Sequence, residues 1–205
     1  VVRNAGIENL KIERIDEDKS WNVCMIQTYN CWLRNVESKY TYKGHVRMNS
    51  TYHCEIRDSY FHMSHKYGSG GRGYGAEMVN RSTLNLVENN IFYKLRHAML
   101  IHIGCNANVF GYNYSDKNTD IGPGLGSKKA NISLHGYYPF MNLFEGNEIQ
   151  YIYSGDHNGA SGIGNTFFRN RTHSTINGGS RGGILVKQYS HKHNIIANEV
   201  TNWTI

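Results

Sequence analysis

Eleven histidines, 22 Lys and Arg and only 16 Asp and Glu in 205 residues set the chemistry this chain can attempt. Histidine takes up and releases protons near neutral pH, and arginine supplies a fixed positive charge for anionic groups. Six residues combine these properties with usable spacing: Arg47, Glu77, Arg96, His97, His102 and His135. Together they suit proton transfer beside an anionic group, with Arg47, Arg96 or, from outside the six, Lys187 as candidate bases and His102 or His135 assisting. A second set, His45, Arg72, Tyr74, Asp156, His157 and Lys187, offers hydrogen bonds, charge and ring faces for holding a substrate.

Other chemistries fit these residues less well. Gly68-Ser69-Gly70-Gly71-Arg72-Gly73 spells G-x-G-x-x-G, but a phosphate cradle needs a helix immediately after it. The residues after it, AEMVNRSTLNLVEN (76–89), alternate as strands do. The glycines therefore read as an expanded turn that delivers His65, Lys66, Arg72 and Tyr74 to the rim of a site. Hydrolysis by two carboxylates about 5–10 Å apart has only Glu77 with Asp156 to draw on. Zinc would have to gather His45, His62 and His65 without a helical H-x-x-x-H. Cys24, Cys31, Cys54 and Cys105 lack C-x-x-C spacing and read as buried thiols.

The elements that must hold these side chains are strands. Gly (22) and Tyr (15) are abundant, and neither favours helix. No apolar run of 18 residues occurs, so no membrane span is expected. The formal net charge of +6 suits an anionic partner. The basic residues are scattered, with no run longer than Lys128-Lys129, so a solvated basic surface without a ligand stands beside a dedicated anion track; the partner expected is an acidic polysaccharide or other glycan, not nucleic acid. Sequons at Asn49, Asn80, Asn113, Asn131, Asn170 and Asn202 point weakly to export. The expectation is one domain over residues 1–205, a segment of a longer extracellular or cell-surface chain.

A repeat sets the architecture. NCWLRN (30–35), HCEIRD (53–58), NLVENN (85–90), NVFGYN (108–113), NLFEGN (142–147), NTFFRN (165–170) and HNIIAN (193–198) share a frame with Asn, His or Asp around an apolar centre. Their starts are 23, 32, 23, 34, 23 and 28 residues apart. A base interval of 23, lengthened by insertions, is the pattern of coils stacked along one axis. Alternating segments such as HVRMNS and GAEMVN precede the frames, so each coil should carry one strand before the frame and one within it. Asn35 with Asp58, Asn90 with Asn113, and Asn147 with Asn170 should form side-chain ladders. Asn113 and Asn170 would then be closed to glycosylation, and Cys31 and Cys54 would stack as thiols one coil apart.

These frames resemble the right-handed parallel β-helix of the pectate-lyase-like superfamily, where N-x-x-x-x-N segments of the NLFEGN type recur once per coil. The resemblance implies an all-β solenoid with Asn ladders and loop insertions along one edge. It also implies a carbohydrate-active protein: a polysaccharide lyase on an acidic glycan or, alternatively, a non-catalytic glycan-binding or structural segment of a surface or fibre protein. Calcium is the ion such lyases use, but their acidic clusters are not evident here, and no cofactor is expected. Of the motifs that mark polygalacturonase-type hydrolases only NTD (118–120) occurs.

The insertions HMSHKYGSGGRGYG (62–75), SDKNTDIGPGLGSKK (115–129) and INGGSRGG (176–183) all precede the first strand of a coil. They should rise along one edge, beside a strand face from which His45, Arg47, Glu77, His102, His135 and Lys187 point outward. Arg96, His97, Asp156 and His157 would mark its border. Tyr67, Tyr74, Tyr137 and Tyr138 are the rings available to stack on sugars.

Overall fold

The structure is a computed structural model and describes residues 1–68, 70–118, 130–155, 158–173 and 183–201. Among the described residues every regular element is a β-strand, and all pairing between these strands is parallel.

Apart from Val2–Arg3 and Thr28–Tyr29, which form a small sheet of their own, the strands fall into three ladders. Ladder I takes Val23–Ile26, Gly44–Asn49, Tyr74–Val79, His97–Ile101, Ile132–Leu134, Tyr151–Ser154 and Gly183–Val186, the segments before the frames. Ladder II takes the frame centres, from Glu55–Arg57 and Leu86–Glu88 to Asn194–Ile196. Ladder III takes the short segment after each frame, from Tyr60–His62 and Ile91–Tyr93 to Glu199–Thr201. The chain visits I, II and III in turn and begins again, so each coil adds one strand to each ladder. Gly6–Glu13 and Trp32–Lys39 are long enough to run through the corner, joining ladders II and III at one end. This arrangement fits a parallel β-helix. The expected two strands per coil become three, because segments as short as IFY and YSD are too brief to display alternation.

The register corrects the frame by one residue in its first two copies. Trp32 pairs with Glu55 and Glu55 with Leu86, so Cys31, Cys54 and Asn85 share a column. Asn35 and Asp58 therefore miss the ladder expected of them. Both are exposed at the turn, where Asn35 donates to Asn9 and Asp58 accepts from Asn89.

The buried ladder between II and III runs Asn90, Asn113, Asn147, Asn170, Asn198. Each side-chain nitrogen donates to the next Oδ1 at 2.9–3.0 Å. Each Oδ1 also accepts the backbone N–H of the asparagine one coil before. A second ladder, Asn85, Asn108, Asn142, Asn165, does the same between I and II. It ends in thiols: Cys54 N donates to Asn85 Oδ1, and Cys31 N donates to Cys54 Sγ at 3.4 Å. All four cysteines are free; Cys31, Cys54 and Cys105 are buried as expected, but Cys24 is exposed, because alternation along Val23–Ile26 turns it away from the core.

The left-handed backbone that turns the corner belongs to the residue before the ladder position, which is Val36 and Ser59 in the first two coils and asparagine in the rest. Asn35, Asp58, Asn89, Tyr112, Arg169 and Ala197 all have φ of 52–54°, and Gly146 has 62°. Bending and buried hydrogen bonding are thus divided between neighbours, so the bending position accepts several residue types despite the usual cost of positive φ.

Between the ladders lies a core of stacked like residues. Phe61 stacks on Phe92, and Phe110, Phe144 and Phe167 form a column with centroids 5.1 and 5.3 Å apart, all fully buried. Burying each ring contributes roughly 1.5–3 kcal/mol. All three insertions leave from one edge, between ladders III and I, as the sequence indicates. Residues 119–129 and 174–182 of the second and third lie outside the described residues. In the first, no helix succeeds the glycines: Gly68, Gly70, Gly71 and Gly73 hold φ of 72–103° as the chain returns to Tyr74–Val79.

Candidate active site

Ladder I presents its outer face beside this loop edge. Val46, Ala76, Met99 and Ile132 are buried in the core. Alternation turns Arg47, Glu77, Leu100 and Ser133 outward as one column. His102 and His135 stand on adjacent coils two residues further on, with Lys187 in the same column.

Glu77 lies at the centre. It is 5% exposed, with Arg47 Nε 3.5 Å from Oε2 and His102 Nε2 3.4 Å from Oε1. These are ion-pair distances without hydrogen-bond alignment: Arg47 Nε, Glu77 Oε2 and His102 Nε2 are all buried with no hydrogen-bond partner among the described residues. Arg47 is held from the far side by Trp21, its guanidinium 4.3 Å from the ring centroid, and Lys43 Nζ lies 4.5 Å from the same ring. Burial raises the pKa of the adjacent Cys24 thiol, against the pull of Arg47.

The histidines extend the cluster. The His102 and His135 rings are 5.9 Å apart, and His135 meets His97 edge-on at 6.3 Å. His97 donates Nδ1–H to Ala130 O at 2.7 Å and packs on Tyr74 at 5.4 Å. Arg96 donates to Tyr74 Oη at 3.3 Å. The six residues singled out for proton transfer thus form one chain of contacts with Tyr74: Arg47, Glu77, His102, His135, His97, Tyr74, Arg96. Its two halves differ in access. Arg47, His102 and His135 are half-buried, whereas Tyr74, Arg96 and His97 are at most 5% exposed.

His45 departs from the expectation of an outward substrate contact. It is fully buried. Alternation breaks at the start of these strands, where His45, Gly75 and Ala98 turn inward beside inward-facing Val46, Ala76 and Met99. A Cβ on Gly75 would lie 2.2 Å from Ala98 O and 2.6 Å from Phe92, so glycine is required for the strands to close there. His45 donates Nε2–H to Met63 O at 3.1 Å and accepts from Ser38 Oγ at 2.8 Å through Nδ1, a neutral tautomer. Burial lowers its pKa to about 3.

The remaining residues scatter. Arg72 lies over Tyr42 at 5.6 Å. His65 and Lys66, expected at the rim, reach Arg14 O and Glu17 instead. His62 pairs with Glu37 and lies near enough to His45 to disfavour its charged form, but His65 turns to Arg14 O, so the three histidines considered for zinc do not converge. Lys187 is exposed, with Nζ 5.8 Å from the Tyr153 ring. Asp156 and His157 lie outside the described residues, which leaves the Glu77–Asp156 pairing undescribed. Tyr137 and Tyr138 stand 56% and 52% exposed just past His135. Trp21, Lys43 and Asn158 escape sequence reading. Trp21 and Lys43 sit outside the strands, and Asn158, whose Nδ2 is 3.4 Å from His135 Nδ1, comes from the next turn of chain.

No family model matches the chain, and neither the curated proteins nor the solved structures yield a match.

Proposed function

We propose that the outer face of ladder I binds an acidic polysaccharide and cleaves it by β-elimination, on a right-handed β-helix of the pectate-lyase-like kind working outside the cell. The observation that carries this reading is Glu77, a buried carboxylate held between Arg47 and His102 with three polar atoms lacking hydrogen bonds among the described residues. Buried polar atoms without partners call for an explanation, and a polar ligand meeting them from the open side supplies one.

In the elimination, a neutral His135 takes the proton on the carbon bearing the uronate carboxylate. That C–H pair becomes the new C=C bond, and the C–O bond to the neighbouring sugar breaks. His102, protonated and oriented by Glu77, gives its proton to the departing oxygen. Arg47 and Lys43 offset the uronate charge as it spreads onto the carboxylate. A guanidinium does not deprotonate readily, so Arg47 is better suited to this electrostatic work than to being the base. Tyr137 and Tyr138 lie where sugar rings would stack.

Purified protein incubated with a panel of uronate polymers is expected to release unsaturated product detectable by its ultraviolet absorbance. Absence of product across the panel would overturn the lyase reading. A non-catalytic glycan-binding face is the second reading, favoured by the burial of Arg96 and His97, which are 4% and 2% exposed and so beyond a polymer's reach. Retention on uronate gels without product would support it.

A further inference from the structure

The outer face of ladder III carries a feature that the proposed site does not use. Tyr60, Ile91 and Tyr114 form one outward column on three successive coils, and Tyr93 stands beside them in the next. Tyr60, Ile91 and Tyr114 are 36%, 48% and 39% exposed. None of the three tyrosine hydroxyls has a hydrogen-bond partner among the described residues. Each ring has a neighbour: His62 lies flat against Tyr60 at 4.2 Å and 6°, His173 stacks on Tyr114 at 6.3 Å, and Lys94 lies 5.6 Å from the Tyr93 centroid.

We infer that this strip is a second glycan-binding surface, for an uncharged β-linked polysaccharide lying along the solenoid axis. Three features select that occupant. Tyr60 and Tyr114, two coils apart, are separated by about 10 Å, roughly the repeat of a disaccharide in an extended chain. Lys11, Glu13, Glu37 and Lys39 at one end neutralise one another in ion pairs, and Tyr114 at the other is flanked by the carboxylates of Asp116 and Glu148, which repel a uronate. Ile91 is the strip's one aliphatic side chain, whereas a second protein would need a larger apolar core. Tyrosine combines a ring face for the sugar with a hydroxyl for its hydroxyls.

The test is retention of the whole chain on insoluble cellulose, xylan and mannan, with Tyr60→Ala/Tyr114→Ala and His102→Ala as variants. The wild-type protein should be retained by at least one. Losing two stacking contacts should weaken retention about tenfold or more, with far-ultraviolet dichroism unchanged, while His102→Ala binds as the wild type does. The inference is overturned if the wild type is retained by none, or if the double variant is retained equally. It is overturned likewise if sedimentation shows a dimer that the double variant disperses, which would make the strip a self-interface. Uronate cleavage is read separately, so failure here leaves the ladder I reading standing.

Discussion

Two histidines on ladder I show how local backbone decides what an imidazole does. His45 faces the core and is fixed as the neutral tautomer, whereas His102 faces outward against Glu77. Because the folded pKa of His45 lies near 3, below the ordinary 6.5, the unfolded chain binds the extra proton between these values. Its contribution is complete above pH 6.5 and is lost as pH falls towards 3, with a limiting slope of about 1.4 kcal/mol per pH unit. Urea midpoints measured from pH 7 to pH 4 should therefore fall more steeply for the wild type than for His45→Gln. On the outer face, Glu77→Gln and His135→Ala should each lower elimination by about 10²–10³-fold while leaving the urea midpoint of a folded protein measurable. Equal activity in either variant would remove that residue from the mechanism. Arg47, Glu77, His102 and His135 were legible in the sequence because strict alternation holds at their positions. His45 was not, because the inward turn it shares with Gly75 and Ala98 is a packing requirement of neighbouring coils.

Among elements, the asparagine ladders make the sharpest contrast. Asn113→Ala removes the acceptor of two bonds from Asn90 and the donor to Val87 O and Asn147. Stranding buried groups costs roughly 1–3 kcal/mol each, so this variant should lose about 3 kcal/mol or more in urea unfolding. Asn35→Ala, at an exposed turn, should lose under about 1 kcal/mol despite its similar place in the sequence frame. Phe144→Ala, which empties the centre of the phenylalanine column, should lose about 3–5 kcal/mol. The 23-residue interval made the coil readable from sequence. The position of the ladder within the first two frames was not, because Cys31, Val36, Cys54 and Ser59 stand where later coils have asparagine. Only the hydrogen-bond register reveals that a thiol and a hydroxyl occupy those places.

At the scale of the whole molecule, stacking closes off three of the six modification sites the sequence offers. Asn113, Asn131 and Asn170 are at most 1% exposed, whereas Asn80 is exposed. Expressed through a glycosylating secretory route, the protein should carry glycan at Asn80 and none at those three, as peptide mass spectrometry would read. Thiol titration of denatured, unreduced protein should give four groups, since the two stacked cysteines are hydrogen-bonded rather than joined. The edge from which the insertions rise was visible in the sequence, since their excess length falls at one phase of the repeat. The contacts those loops make were not, because side chains such as His65 and Lys66 choose partners from coils remote in the chain.

The division of labour at the turn between ladders II and III has a practical consequence. Its bending residue is Asn, Asp, Tyr, Gly, Arg or Ala in different coils, and the geometry holds whichever is present, with a buried asparagine next to it from Asn89 onward and Val36 or Ser59 in the first two coils. That column is a graduated scale, marked once per coil at a pitch of about 4.8 Å. Dyes, spin labels or reactive groups attached at Asp58, Asn89, Tyr112 and Arg169 would stand in a row at known separations, turning the protein into a molecular yardstick.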